Sequence, residues 1–205
     1  HLGSVVVHYK KRKGVGRLLA EIQKYLAGHP WQDKIIWLDT IDSTNTYAKE
    51  LARNGAPEGT VVIADHQTGG RGRLGRSFHS PGGTGIYMSV ILRYPGSAEK
   101  LMHLTCAAGV AMMEAVKAVS GITPQVKWIN DLVYDRKKLA GILVELIFDS
   151  QGNVDAAIIG IGINCKDSIP AELSQIATAL DRETKKAVSP ILLAAKLLQR
   201  LYCIS

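Results

Sequence analysis

The order of strand-like and helix-like segments is the feature that most constrains how this chain can fold. Short apolar stretches rich in β-branched residues cluster between residues 60 and 93 and again between 126 and 164, and helical patterns are scattered irregularly among them. A doubly wound sheet would need strands and helices in regular alternation, which this sequence lacks. The pattern predicts an α+β fold with a mixed, mostly antiparallel sheet and helices packed on one face.

The individual segments carry recognisable end signals. Ser189 is predicted to cap a helix that opens with Pro190, and the turn sequence at 150–153 is predicted to join two strands as a hairpin. Helices are predicted over 16–27, 44–53, 98–119 and 190–202. Strands are predicted over 35–38, 60–65, 86–93, 126–128, 132–134, 140–149 and 154–164.

Composition excludes several classes of protein. Of the 205 residues, 46% are apolar and 21% charged, which is typical of a globular domain and not of a disordered chain. The three cysteines lie far apart and the six histidines form no pair with ligand spacing, so neither a disulfide framework nor a metal site built from these residues is indicated. This cysteine pattern fits a reducing cytosol, so we expect a cytoplasmic protein. No apolar run reaches transmembrane length. Residues 1–15 are interpreted as a tag, a linker or the remnant of a wing, and 16–205 as the domain proper.

The net charge of +7 is concentrated in two places. Four consecutive cations occupy residues 10–13, and three arginines lie at Arg71, Arg73 and Arg76. The remaining charges balance, which argues against a surface that binds polyanions in general.

The glycine–arginine loop, residues 67–85, is the most informative stretch. Residues 70–75 match the dinucleotide pattern G-x-G-x-x-G, and 70–77 nearly match a P-loop. Both motifs need a helix to begin at the last glycine, but the sequence after Arg76 runs to Pro81 and two glycines and cannot continue one. What remains is guanidinium groups suited to phosphate or carboxylate, between glycines that permit close approach of a ligand. The alternatives are a solvated basic loop or a tract that binds single-stranded nucleic acid.

Lys127 is unusual because it lies between Val126 and Trp128 in a predicted strand. Lysine is rarely buried without a partner. Either the side chain points outward from the strand end, or it is held in a cleft to bind an anionic group.

Five motifs, in this order and at this spacing, resemble the catalytic domain of the biotin–protein ligase family. They are DSTN at 42–45, QTGGRGRLGR at 67–76, KWIND at 127–131, RKKLAGILVE at 136–145 and GIGIN at 160–164. The resemblance extends over about residues 16 to 202 and implies the fold shared by class II synthetases and biotin–lipoate ligases. It also implies an enzyme that uses ATP and Mg²⁺ to convert biotin to biotinyl-5′-AMP. The biotin then passes to a lysine of a biotin carboxyl carrier protein.

The resemblance also assigns roles to individual residues. The catalytic residues would be Lys127, Arg71 and Arg73, whose positive charges offset the repulsion between a carboxylate and an α-phosphate. The residues implied to bind biotin are Ser43, Thr44, Asn45, Gln67, Arg71, Gly72, Arg73, Lys127, Gly141 and Gly162. Those implied to bind ATP are Arg71, Arg73, Arg76, Phe78, Lys127, Asn130, Lys138 and Asn164. Mg²⁺ would be held through the nucleotide phosphates, with no protein ligand assigned.

Family members usually carry a small β-barrel domain after the catalytic domain, and we expect this chain to lack it. We expect neither membrane nor nucleic acid as a partner, and a homodimer is left open. The nearest rival is a lipoate–protein ligase with the same fold and adenylate chemistry. A rival of another class is a nucleic-acid-binding module that uses the basic loop, although aromatic residues are not interleaved with its arginines as stacking platforms.

Overall fold

The computed structural model describes residues 14–93, 101–128 and 130–204, with the side chains of residues 101 and 102 left out of the description. The predicted tag or wing remnant before residue 14 lies outside these ranges. The helices are α1 (Val15–Tyr25), α2 (Thr44–Arg53), α3 (Leu101–Ser120), α4 (Leu180–Thr184) and α5 (Pro190–Tyr202). The strands are β1 (Ile35–Ile41), β2 (Val61–Gln67), β3 (Gly85–Leu92), β4 (Gln125–Lys127), β5 (Asp131–Tyr134), β6 (Lys137–Phe148) and β7 (Val154–Asn164). Single 3₁₀ turns lie at Arg73–Gly75 and Ala171–Leu173.

All seven strands form one sheet in the order β1-β2-β3-β7-β6-β5-β4. Only β1 and β2 are parallel, and α2 makes the crossover between them; every other neighbouring pair is antiparallel. The predicted α+β fold with a mixed, mostly antiparallel sheet is confirmed. The hairpin predicted at 150–153 joins β6 to β7, the two longest strands of the described sheet.

Helices cover both faces of the sheet, which differs from the expected arrangement on one face. The first face carries α1, α3 and α5, and the main hydrophobic core lies there. The second face carries α2, whose Ala48 and Ala52 pack against a smaller cluster that includes Val62, Ile91 and Ile158. The reason lies in β3 and β7, the central strands, which are buried at nearly every position and therefore need cover on both sides.

Helix α2 covers only part of the second face. It contacts β2, β3, β6 and β7, and it begins at Thr44, directly after the end of β1. The sheet surface beyond the amino-terminal end of α2 is left free to form a cleft. Among the described helices, none combines the length and the apolar character that a membrane crossing requires.

The start of α5 has the N-cap that the sequence predicts at Ser189. The Ser189 hydroxyl accepts a hydrogen bond of 3.3 Å from the Leu192 amide, as its N-cap position predicts. We expect Ser189→Ala to lower the free energy of unfolding by about 1 kcal/mol in urea titrations. Ser150→Ala, in the exposed hairpin turn, is the control and should change it by less than about 0.5 kcal/mol. Equal losses in the two variants would contradict the capping role.

Candidate functional site

A cleft opens on the second face of the sheet, beside the amino-terminal end of α2. The structure brings twelve of the predicted site residues together around it: Ser43, Thr44, Asn45, Gln67, Arg71, Gly72, Arg73, Phe78, Asn130, Lys138, Gly141 and Gly162. The lining also includes Ile142, Leu143, Gly160 and Ile161, which the sequence analysis did not single out. Three predicted residues, Arg76, Lys127 and Asn164, lie outside this lining.

Glycines on β6 and β7 form the floor of the cleft. Gly141 pairs with Gly162 across the two strands, and Leu143 pairs with Gly160. A Cβ atom on Gly162 would lie 2.6 Å from the Phe78 ring, and one on Gly160 would lie 2.1 Å from Asn45 Oδ1. Both distances are far inside van der Waals contact, so glycine at these positions lets Phe78 and Asn45 lie directly on the sheet.

The start of α2 forms one wall, and Ser43, Thr44 and Asn45 are all buried there. The Thr44 amide and hydroxyl both donate to Gln67 Oε1, at 2.9 and 3.1 Å. Gln67 Nε2 in turn donates to Ser80 Oγ at 3.0 Å. These bonds tie the helix start to the end of β2 and to the far limb of the glycine–arginine loop. The Ser43 side chain does not cap the helix, which leaves its hydroxyl beside the cleft.

Asn45 is held by three residues on two strands, Ser89 on β3 and Leu143 and Glu145 on β6. Its Nδ2 donates to the Leu143 carbonyl at 3.2 Å and to Glu145 Oε2 at 2.9 Å, and its Oδ1 lies 2.6 Å from the Ser89 hydroxyl. Both amide hydrogens are therefore engaged within the protein. The Ser89 hydroxyl also lies 2.8 Å from Thr44 Oγ1, and its single proton can serve only one of the two acceptors at a time.

Glu145 places a carboxylate beside this cation-rich cleft. Lys49 Nζ lies 2.8 Å from Oε1, and Arg71 Nη2 lies 3.8 Å from the same oxygen. Burial alone would raise the pKa of Glu145, but the hydrogen bonds from Lys49 and Asn45 and the charges of Lys49 and Arg71 outweigh it, and the pKa is lowered. The carboxylate is therefore ionised at neutral pH and its charge is largely offset by Lys49.

The glycine–arginine loop forms the opposite wall. Gly72 N donates to Arg76 O at 2.7 Å and Phe78 N donates to Gly70 O at 2.9 Å, which folds the loop into a small hairpin-like turn. Arg73 Nη1 donates to Asn130 Oδ1 at 3.2 Å, across the mouth of the cleft. Arg76 is exposed on the outer side of the turn and does not line the cleft.

A second cleft lies next to the first. It is lined by apolar residues of the segment after β7, with Phe78, Lys138 and Asn164 on its wall. Phe78 and Lys138 line both clefts, and Lys138 Nζ lies 5.7 Å from the Phe78 ring centroid and 2.8 Å from Asp131 Oδ1. Asn164, which donates to the Thr178 carbonyl at 3.0 Å, therefore belongs to the neighbouring cleft.

Lys127 is exposed at the end of β4 and lies outside the cleft lining. Cross-strand pairing connects Lys127 to the floor of the cleft. Lys127 on β4 lies opposite Asp131 on β5, Asp131 lies opposite Gly141 on β6, and Gly141 lies opposite Gly162 on β7. Residues directly opposite each other in antiparallel strands share a face, so Lys127 lies on the face that carries the cleft. Its backbone is two strand spacings, about 10 Å, from that of Gly141. Lys127 is thus a residue of the rim.

Sequence reasoning missed Lys49, Ser89 and Glu145. Two signals could have found them. Ser89 and Glu145 are polar residues inside otherwise apolar strands, the same anomaly that drew attention to Lys127. Lys49 lies four residues after Asn45 on α2 and so shares its face of the helix.

The fold and the cleft define a class of protein in which an arginine loop faces a glycine floor on a mixed sheet, an arrangement suited to a small anionic ligand. The family model described as the biotin/lipoate A/B protein ligase family matches residues 37–164, a range that contains the entire cleft lining. The chain belongs to this family, as the five motifs predicted.

Curated relatives and solved structures agree with this assignment. The chain is 42% identical over 184 residues to the bifunctional ligase/repressor BirA of Bacillus spizizenii, covering 88% of this chain and 56% of the relative. It is 35% identical over 159 residues to the biotin–[acetyl-CoA-carboxylase] ligase of Mycobacterium tuberculosis, covering 75% and 57%. The chain therefore spans little more than half the length of these relatives.

Two solved structures with bound ligands are similar to this chain. The biotin protein ligase of Aquifex aeolicus in complex with biotin and ATP superposes with a TM-score of 0.73 at 37% identity, covering 83% of this chain and 69% of that one. The Leishmania major enzyme in complex with biotinyl-5-AMP gives a TM-score of 0.71 at 28% identity, covering 83% and 74%.

The floor predicts the effect of a single added methyl group. Gly160→Ala would place Cβ 2.1 Å from Asn45 Oδ1, and Asn45 cannot move without breaking its bonds to Ser89, Leu143 and Glu145. We expect a loss of about 1–3 kcal/mol in the free energy of unfolding, measured in urea. Gly16→Ala, where a Cβ atom meets nothing within 4 Å, is the matched control and should not be destabilised. Equal stability of Gly160→Ala and the native protein would contradict the tight contact.

The lowered pKa of Glu145 predicts a pH dependence. Because the folded state favours the ionised form, Glu145 contributes stability above its ordinary pKa of 4.5 that is lost as the pH falls through the lower folded value. We expect native protein and Glu145→Gln to differ most in unfolding free energy at neutral pH and to converge below pH 4.5. Urea unfolding at a series of pH values measures this, and a difference that widens towards acid would contradict it.

Proposed function

We propose that this protein activates biotin with ATP to form biotinyl-5′-AMP and then transfers biotin to a lysine of a biotin carboxyl carrier protein. The observation that carries the proposal is the pair of arginines, Arg71 and Arg73, on a loop that faces a glycine floor in a chain of this family. Relatives named as biotin ligases, and similar structures that hold biotin with ATP or biotinyl-5-AMP, support the same ligands here.

The two clefts offer separate places for the two substrates. The first cleft, with its buried polar wall at Ser43 and Thr44, suits a small ligand with few polar groups. The neighbouring apolar cleft, with Asn164 on its wall, suits a flat, hydrogen-bonding base. Lys138 and Phe78 lie between the two, where a carboxylate and an α-phosphate would meet.

In the first step a carboxylate oxygen of biotin attacks the α-phosphorus of ATP. The bond from that phosphorus to the oxygen bridging to the β-phosphate breaks, and pyrophosphate leaves. Two anions approach each other in this step, so the cations Arg71, Arg73 and Lys138 around the cleft would lower the barrier, with Lys127 reaching in from the rim. No nucleophile from the protein is needed.

In the second step the neutral amine of the carrier lysine attacks the acyl carbon. The bond from that carbon to the phosphate oxygen breaks, AMP leaves, and the amine loses a proton. Positioning contributes most to such a reaction, since the acyl phosphate is already activated. The glycine–arginine loop would shield the adenylate from water until the carrier arrives.

Magnesium would be held mainly by the nucleotide. Within the described ranges no three His, Cys, Asp or Glu residues come together as a metal site. Asp131, a carboxylate near the cleft, already faces Lys138. Such surroundings fit Mg²⁺ that arrives on the phosphates and retains water, and the ion would supply charge neutralisation there. A cytoplasmic location stays a prediction, and a homodimer stays open.

The rival functions differ in what the same site would recognise. The family itself includes lipoate ligases, so a lipoate substrate is the nearest alternative. A nucleic-acid-binding role would rest on the basic loop alone. Two of its exposed arginines, Arg71 and Arg73, however, line the cleft, and Arg76 lies outside that lining.

Pyrophosphate exchange separates these functions. We expect the protein to catalyse exchange of labelled pyrophosphate into ATP only when biotin is present. Exchange with lipoate in place of biotin would identify a lipoate ligase. No exchange with either acid, together with salt-sensitive binding of an oligonucleotide, would identify a nucleic-acid-binding module.

Two variants test the assigned residues in the same assay. Arg71→Ala and Lys127→Ala should each lower the exchange rate by about 100-fold, the typical effect of removing a group that stabilises transition-state charge. Lys117→Ala, an exposed lysine on α3, serves as the control and should keep the native rate. If both site variants matched the control, the assignment of these residues would be wrong.

A further inference from the structure

Glu145 poses a question because an ionised carboxylate next to an anion-binding cleft should repel the ligand. The structure offsets its charge with Lys49, at 2.8 Å, and leaves its other oxygen to Asn45. A partly buried charge that needs a partner of its own is often no more stabilising than an apolar side chain of similar size. The carboxylate of Glu145 is therefore expected to have a use at this position.

One use is to fix the orientation of the Asn45 amide. If that amide were rotated by half a turn, its oxygen would face the Leu143 carbonyl and the Glu145 carboxylate, which are both acceptors. The carboxylate therefore selects the orientation in which Oδ1 faces Ser89 and rests on Gly160. In this orientation Asn45 bonds the first turn of α2, which is one wall of the cleft, to both β3 and β6.

The second use concerns Arg71, whose side chain is 49% exposed. Its Nη2 lies 3.8 Å from Glu145 Oε1, too far for a hydrogen bond but close enough for attraction. Such an attraction holds Arg71 beside the cleft, and it is weak enough for Arg71 to leave Glu145 for another anion. When an anionic ligand arrives, Arg71 can move to it while Lys49 continues to neutralise Glu145.

We propose that Glu145 is a positioning residue of the cleft: its carboxylate orients the Asn45 amide on one wall and attracts Arg71 of the loop on the other. The ligand part of this inference rests on the proposed function, because it takes the ligand to be biotin. Glu145 itself touches no reacting atom. It acts through Asn45 and Arg71.

The first test is limited trypsin digestion of the free protein, which needs no activity. Trypsin cleaves after Arg71, so the rate of that cleavage reports how firmly the loop is held against the cleft. We expect Glu145→Gln to speed this cleavage about threefold, as fits the loss of a half-exposed ion pair. Glu114→Gln is the matched control, since Glu114 pairs with Arg200 at 3.3 Å on a half-exposed surface of α3.

Digestion is run well below the unfolding midpoint of every variant, which circular dichroism measures. Equal cleavage rates in Glu145→Gln, the control and the native protein would overturn the contact with Arg71. Glu145→Asp keeps the charge and should cleave at a rate between those of the native protein and Glu145→Gln. It also replaces Glu145→Gln if that variant does not fold.

The second test is a double-variant cycle in biotin-dependent pyrophosphate exchange. Glu145→Gln should lower kcat/KM for biotin about tenfold, the effect of one lost charge-assisted hydrogen bond. In the Arg71→Ala variant, Glu145→Gln should lower kcat/KM by a smaller factor, because part of its effect passes through Arg71. If Glu145 were purely structural, Glu145→Gln would lower thermal stability, and the fold-loss of kcat/KM in the double variant would equal the product of the losses in the two single variants. That outcome would overturn the proposal. If the native protein shows no biotin-dependent exchange, the proposed function fails, while the trypsin comparison still decides the role of Glu145.

Discussion

The pairing of β6 with β7 is the interaction on which the cleft depends. These two antiparallel strands bring Gly141 opposite Gly162 and Leu143 opposite Gly160. A shift of one residue in that register would turn each of these residues to the other face of the sheet. The buried residues that alternate with the glycines, Ile142 and Ile161, would then lie on the open face, which opposes any slip. The packing of the main core thus secures the geometry of the opposite face.

The parts of the fold that the sequence predicts well are those in which one local rule decides the outcome. The N-cap at Ser189, the hairpin at 150–153 and the central strands all follow from short patterns, and all are present. The single-face arrangement of helices does not follow from such a rule. It depends on whether β3 and β7 are buried on both sides, and a continuous apolar strand fits either a central or a one-sided position until the strand order is known.

The residues of the site also fall into those that local sequence patterns reveal and those that only the tertiary fold reveals. The motifs located most of the cleft lining, because loop glycines and arginines stand out in sequence. Lys49, Ser89 and Glu145 did not stand out as a group because they lie on three different elements. Only the tertiary fold brings Ser89 and Glu145 to Asn45, and Lys49 to Glu145. Lys127 shows the opposite case. The sequence marked it as unusual but could not say how far β4 lies from the floor, and that distance is set by the strand order.

The glycine floor has a thermodynamic consequence for the whole domain. Glycine in the interior of a strand loses more backbone entropy on folding than alanine does, an intrinsic cost of about 0.5–1 kcal/mol. Gly141, Gly160 and Gly162 carry this cost, and alanine could not recover it at Gly160 or Gly162, where a Cβ atom would overlap Asn45 or Phe78. An open cleft above them also forgoes the packing that side chains would supply. A ligand that fills the cleft at 100 times its dissociation constant adds about 2.7 kcal/mol, a contribution of similar size. A bound ligand would thus take the place of the missing side chains, and the resistance of the protein to unfolding would rise with the concentration of that ligand.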